Sequence, residues 1–155
     1  MKKSFLSLVI LGASLAAAPA LAQGPVALEG SVQVERKVVE NGQTKTVLAA
    51  PEKVVPGDRL IFKTAYRNTS SAPIQKFVVT NPVPAAVMVA ADSAATLDVS
   101  VDGAKTWGKL AALKVANADG TMRPATNADI THVRWTLPVI AAGENGALAY
   151  NAIVR

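Results

Sequence analysis

The stretch that most restricts the fold of this chain is residues 56–84. A turn at Pro56, Gly57 and Asp58 opens a segment in which Leu60, Phe62, Thr64 and Tyr66 alternate with Arg59, Ile61, Lys63, Ala65 and Arg67. Side chains that change face at every residue belong to a strand, so this period of two predicts a sheet with one buried side. Turn formers follow at Asn68, Thr69, Ser70, Ser71, Ala72 and Pro73, and a second strand over 74–80 closes on Asn81, Pro82, Val83 and Pro84. The stretch is therefore read as a hairpin with a core-facing side.

The same punctuation recurs along the chain. Asn41-Gly42 stands between two β-prone runs. Both central residues of a type I′ turn need positive φ, so residues 31–49 are read as a second hairpin. Residues 23–30 have little pattern and are read as a lead-in or an added edge strand. A weakly extended piece is expected over 85–91, a strand over 96–101, a turn at Asp102, Gly103 and Ala104, a short extended piece ending near Val115, and a loop over 116–127. Val133, Trp135 and Leu137 share one face of a strand over 130–137. Leu148, Tyr150, Ala152 and Val154 share one face of the last run. No stretch holds a sustained helical period. Short strands spaced roughly 8–12 residues apart predict an all-β, immunoglobulin-like antiparallel sandwich of about seven to nine strands.

Before this pattern begins, Lys2 and Lys3 precede an apolar run over 5–18, and Ala20 and Ala22 are small residues suited to a signal peptidase. Residues 1–22 are read as a cleaved signal peptide, 23–53 as a lead-in and hairpin packed on the sandwich, and 54–155 as the sandwich domain. The run is short for a bilayer span of about 20 residues, so the mature chain is expected to have no transmembrane segment. Without the leader, basic residues fall from 16 to 16 − 2 = 14 against 11 acidic, and the formal charge of +5 falls to 14 − 11 = +3. No basic run or aromatic-interleaved patch accompanies that charge, so nucleic acid is not an expected partner. The absence of cysteine excludes thiol chemistry and disulfides.

Several of these pieces, taken in order, resemble a bacterial conserved-repeat domain of envelope and secreted proteins, the domain of unknown function numbered eleven. The residues that carry the resemblance are Pro56, Gly57, Asp58, Phe62, Tyr66, Asn68, Ser71, Ala72, Pro73, Val78, Val79, Thr80 and Pro84. Asp102, Gly103, Lys105, Thr106, Trp107, Val133, Arg134, Trp135 and Gly143 continue it. The resemblance implies a β-sandwich outside the cytoplasm and no catalytic residues. The family usually has aspartate where this chain has Asn81, glycine at Ser70, and Pro-Gly at Ala142 and Gly143. Asn81 brings no charge for an ion.

His132 is the single histidine, no G-x-S-x-G elbow accompanies it, and its face is opposite Trp135, so a solvated or edge histidine is expected. His132, Met88 and Met122 lack transition-metal spacing. Asp92, Asp98 and Asp102 lack the spacing of a calcium loop and are read as strand-edge carboxylates. Trp135 is read as a core residue. Trp107 is the candidate for stacking a ligand such as a sugar ring, joined by Tyr150 only if Tyr150 turned outward against its register. The last run has an uncharged outer set of Ala147, Ala149, Asn151 and Ile153, which is read as a strand-pairing edge, covered by the 31–49 hairpin or by a partner chain. These readings lead to a non-enzymatic structural or protein-interaction module of the cell envelope, exported to the periplasm, cell surface or medium, with no cofactor. Its partner is an envelope protein or a second copy, and the alternative is a glycan-binding module.

Overall fold

A computed structural model describes residues 24–155; the leader expected over 1–22 lies outside the described residues. In chain order come β1 (Val26–Glu40), β2 (Gln43–Ala49), β3 (Arg59–Asn68), β4 (Ile74–Pro82), β5 (Val87–Val89), α1 (Ala91–Thr96) and β6 (Asp98–Ser100). There follow β7 (Lys114–Ala116), β8 (Met122–Pro124), β9 (His132–Ile140) and β10 (Asn145–Val154). All strand pairs are antiparallel. A five-stranded sheet, β2-β1-β3-β10-β5, faces a three-stranded sheet, β4-β9-β6, while β7 and β8 form a separate ribbon. The chain is an all-β antiparallel sandwich, and its two layers hold 5 + 3 = 8 strands, within the expected range.

The alternation in the sequence sets the inner faces. Leu60, Thr64 and Asn68 of β3 and Tyr150 and Ala152 of β10 are buried against Val79, Val99 and Val133 of the other sheet. Phe62 stacks on Tyr150 with ring centroids 4.9 Å apart, and Trp135 tilts against Tyr150 at 6.2 Å, so the expected core tryptophan lies between the layers. Aromatic pairs of this kind add about 0.5–1.5 kcal/mol beyond the area they bury. Tyr66 faces Gly146 across β3 and β10, and its ring occupies the space that a Cβ on that glycine would need. Asn68 is fully buried and donates to the carbonyls of Ala72 (2.8 Å) and Ala141 (2.9 Å), while its Oδ1 accepts from the Ser70 N–H (2.9 Å). One side chain thus ties the end of β3 to the loops of both sheets.

Several stretches differ from the sequence reading. Residues 56–84 do not form the expected hairpin, because β3 pairs with β1 and β10 in the five-stranded sheet while the chain crosses over at 69–73 and β4 pairs with β9 in the other. Of the two readings of the segment before Ser31, the added edge strand holds: β1 starts at Val26 and pairs with β3 from Val26↔Asn68 to Val34↔Leu60. The 31–49 hairpin therefore continues the main sheet rather than lying on it. Residues 116–127 hold β8 and part of the β7–β8 ribbon, where a loop was expected. The short α1 follows β5, where no helix was read. A kink also appears inside β4: Lys76 has φ 53° and falls in register with Pro138 of β9. Inward positions accordingly step from Val133, Trp135 and Leu137 to Ile140, out of strict alternation.

Candidate functional site

The four terminal strands of the two sheets are the natural place to look for function in a fold of this kind. Each presents a row of backbone N–H and C=O groups that must find a partner or face water. Three of them are protected. On β5, Arg155 Nε donates to the Val87 carbonyl (3.0 Å) and Asn127 Nδ2 to the Val89 carbonyl (3.0 Å). On β6, Val99 exchanges both backbone bonds with Gly108, at 2.9 and 3.1 Å. On β4, the left-handed Lys76 kinks the strand and adds a charge, and Pro82 ends it. Kinks, lysine and proline are the devices that keep other strands away.

β2 carries one lysine, Lys45, which pairs with Glu40 of its own hairpin, and neither of the other two devices. It is seven residues long, contains no proline, and keeps its alternation unbroken. Asn41 (φ 52°) and Gly42 (φ 75°) form the predicted two-residue turn, which sets Glu40 against Gln43 and fixes the register. In that register Gln43, Lys45, Val47 and Ala49 bond inward to β1. The N–H and C=O groups of Thr44, Thr46 and Leu48 point away from it, with no backbone partner among the described residues. Beyond Val34, β1 also leaves β3 behind, so β1 and β2 project from the sandwich as a two-stranded arm. Its apolar side chains are in solvent: Val39 is 74% exposed and Leu48 50%, with Val38 and Val47 also exposed. The root of the arm is polar. Arg36 pairs with Asp58 at 2.7 Å and reaches the Lys53 carbonyl, and Arg59 bridges Glu35 and Asp92. The Val55 N–H and Arg36 hold the Asp58 carboxyl below its usual range.

The residues singled out in the sequence fall elsewhere. β10 lies between β3 and β5, so the predicted edge is covered over Ala152, Ile153 and Val154, and Asn151 bonds to Ala90 and Ser93. Ala147 and Ala149 are exposed, with no strand on their β5 side. The 31–49 hairpin does not cover β10, because β3 stands between them. Tyr150 is 2% exposed and faces inward, as its register required. Trp107 is half-buried on the outer face of the small sheet, with the Arg134 guanidinium 4.5 Å from its ring centroid and His132 edge-on at 6.4 Å.

The carboxylates are engaged by their own loops. Asp102 accepts from the Thr106 N–H and hydroxyl and from Ser100 Oγ, contacts that hold it well below the ordinary carboxylate range. Asp98 pairs with Lys109 at 3.0 Å. Asp92 is raised by desolvation, but hydrogen bonds from Arg59, Asn151 and the Ser93 N–H outweigh that and lower it. Asp129, which was not singled out, receives a two-pronged contact from Arg123 at 2.7 Å per prong and closes a capping box with Thr126, so its carboxyl is also well below the ordinary range. Among the described residues, no three His, Asp or Glu side chains gather as a metal set, and no helix is long and apolar enough to cross a membrane.

No family model, curated protein or solved structure matches the chain.

Proposed function

We propose that this chain is a non-enzymatic, exported β-sandwich that serves the cell envelope as a protein-interaction module, with the β1–β2 arm as its contact surface. The observation that carries this reading is the β2 edge, unpaired along its whole length and flanked by exposed Val38, Val39, Val47 and Leu48, where the terminal strands β4, β5 and β6 are kinked or closed by other groups. Strand addition at such an edge is a common mode of protein recognition, in which backbone bonds give affinity and alternate side chains give selectivity. A non-enzymatic role accords with the engagement of Asp58, Asp92, Asp102 and Asp129 in turns and ion pairs. The apolar run after Lys2 and Lys3 and the likeness to envelope repeat domains support the location. In the alternative, glycan-binding reading, a sugar ring would have to share Trp107 with the Arg134 guanidinium.

The test is fractionation of cells that express the tagged full chain, with a photo-crosslinker placed in turn at Val39, Leu48 and Trp107. The proposal expects the protein outside the cytoplasm and protein adducts at Val39 and Leu48 but not at Trp107. Retention in the cytoplasm, or adducts at Trp107 alone, contradicts it.

A further inference from the structure

The arm's sequence also restricts what can dock on it. Resting on the reading of the arm as a contact surface, we propose that its partner is the β2 strand of a second copy. The two strands run antiparallel about a two-fold axis through Thr46 and join two five-stranded sheets into one continuous sheet.

The register follows from which groups face outward. A two-fold pairing centred on Thr46 sets Thr46 against its own copy, Thr44 against Leu48, Lys45 against Val47, and Gln43 against Ala49. All seven residues of the strand are then overlapped, and every outward N–H and C=O of Thr44, Thr46 and Leu48 meets a partner. Centres at neighbouring residues leave part of the strand overhanging. A centre at Lys45 would in addition place two ammonium groups face to face, which is unfavourable.

Charge and apolar side chains agree with the Thr46 centre. Lys45 is already paired with Glu40 of its own chain at 2.7 Å, so it brings no uncompensated charge to the seam. A Thr–Thr pair sits at the axis, and directly opposed threonines are a favourable cross-strand combination. On one face Leu48 meets Thr44 of the other copy, whose neighbour on β1 is Val39; on the other face Val47 meets Lys45, whose neighbour is Val38. The apolar side chains that water now surrounds would thus flank the seam on both faces. The isologous patch is self-complementary, as closed dimers require. The contact is at the small end of protein interfaces, so the dimer should be reversible, with a dissociation constant on the order of micromolar.

The absence of cysteine makes the register directly testable. Thr46→Cys places one thiol at the axis, opposite its own copy at a Cα separation of about 5.5 Å, within disulfide range. Thr44→Cys places it about 13 Å from its copy, four residues away along the strand. Under mild oxidation of the purified protein, Thr46→Cys should form a covalent dimer at least about tenfold faster than Thr44→Cys. Thr46→Lys, a substitution at an exposed side chain, opposes two ammonium groups and should weaken self-association about tenfold, with partial recovery in high salt.

Equal oxidation rates for the two cysteine variants would overturn the register. Sedimentation as a monomer at several hundred micromolar would overturn the pairing itself. If the protein is monomeric yet still gives arm adducts to a different protein in cells, self-pairing fails and the interaction-module reading stands. If it is monomeric and the arm adducts are absent, both fail.

Discussion

The two ends of the five-stranded sheet have opposite characters. At the β5 end, three residues of strand are closed by side chains: Arg155 and Asn127 take the carbonyls of Val87 and Val89, and Val87, Val89 and neighbouring Ala152 are buried. At the β2 end, seven residues of strand have exposed side chains over all but the last position, and their outward backbone groups have no partner among the described residues. The difference separates two tasks. The β5 end belongs to the body that folds. The β2 end contributes little to the core and is the part of the sheet suited to contact another chain.

The comparison is sharpest in stability. Tyr150→Ala removes the ring that Phe62 stacks on and Trp135 tilts against, and should cost about 3–5 kcal/mol in denaturant unfolding. Leu48→Ala in the arm should stay within about 0.5 kcal/mol. A large loss at Leu48 would show that the arm is part of the folding unit. Gly146→Ala should cost about 1–3 kcal/mol, because the new Cβ meets the Tyr66 ring between neighbouring strands of the same sheet. Tyr66→Ala in the same chain should recover part of that cost if the clash is its cause. Asn127→Ala leaves the Val89 carbonyl unpartnered at the β5 end and should cost about 1 kcal/mol.

The smallest effect is with pH. Burial pushes the Tyr150 hydroxyl up to about 12. The folded state therefore keeps a proton that the unfolded chain releases near its ordinary 10. The resulting stability is present below that value and is lost as pH rises through about 12. Tyr150→Phe should flatten this alkaline loss and leave stability near neutral pH almost unchanged. On the acid side, Asp102 and Asp129 have lowered values, so their contribution is present above the ordinary carboxylate range and falls away as pH drops through it. Both lie in the body, Asp102 in a turn and Asp129 in a short 3-10 turn of helix, and an arm substitution such as Leu48→Ala should leave this acid limb in place.

Much of the body was legible in the sequence because its signals are local. The Asn41-Gly42 pair fixed one hairpin, and period-two alternation marked β3, β9 and β10 with the faces they bury. What the sequence did not disclose is of longer range. Val26 to Gly30 form strand because β3 offers them a partner, not because their own pattern demands it. The β7–β8 ribbon hides among loop formers, where Asn117, Gly120 and Thr121 make its turn. The open edge was assigned to Ala147, Ala149, Asn151 and Ile153 because strand order is set by pairing between distant segments. β10 finds β3 along its length and β5 only over Ala152 to Val154, so just its Ala147 and Ala149 end stays without a second neighbour, and the terminal strand of the sheet is β2. The one available signal was the arm itself: Val38, Val39, Val47 and Leu48 place apolar residues on both faces of a hairpin, an arrangement that a half-solvated edge does not require.

The most direct test is residue-resolved amide hydrogen exchange across β2 at two protein concentrations, one well below and one well above the micromolar range. The structure predicts that Lys45 and Val47, bonded to β1, are protected alike at both, while Thr44, Thr46 and Leu48 exchange freely in the dilute sample and become protected in the concentrated one. Uniform protection along the strand, or exchange at Thr44, Thr46 and Leu48 that ignores concentration, would contradict an edge that is open in the single chain and closed by its copy.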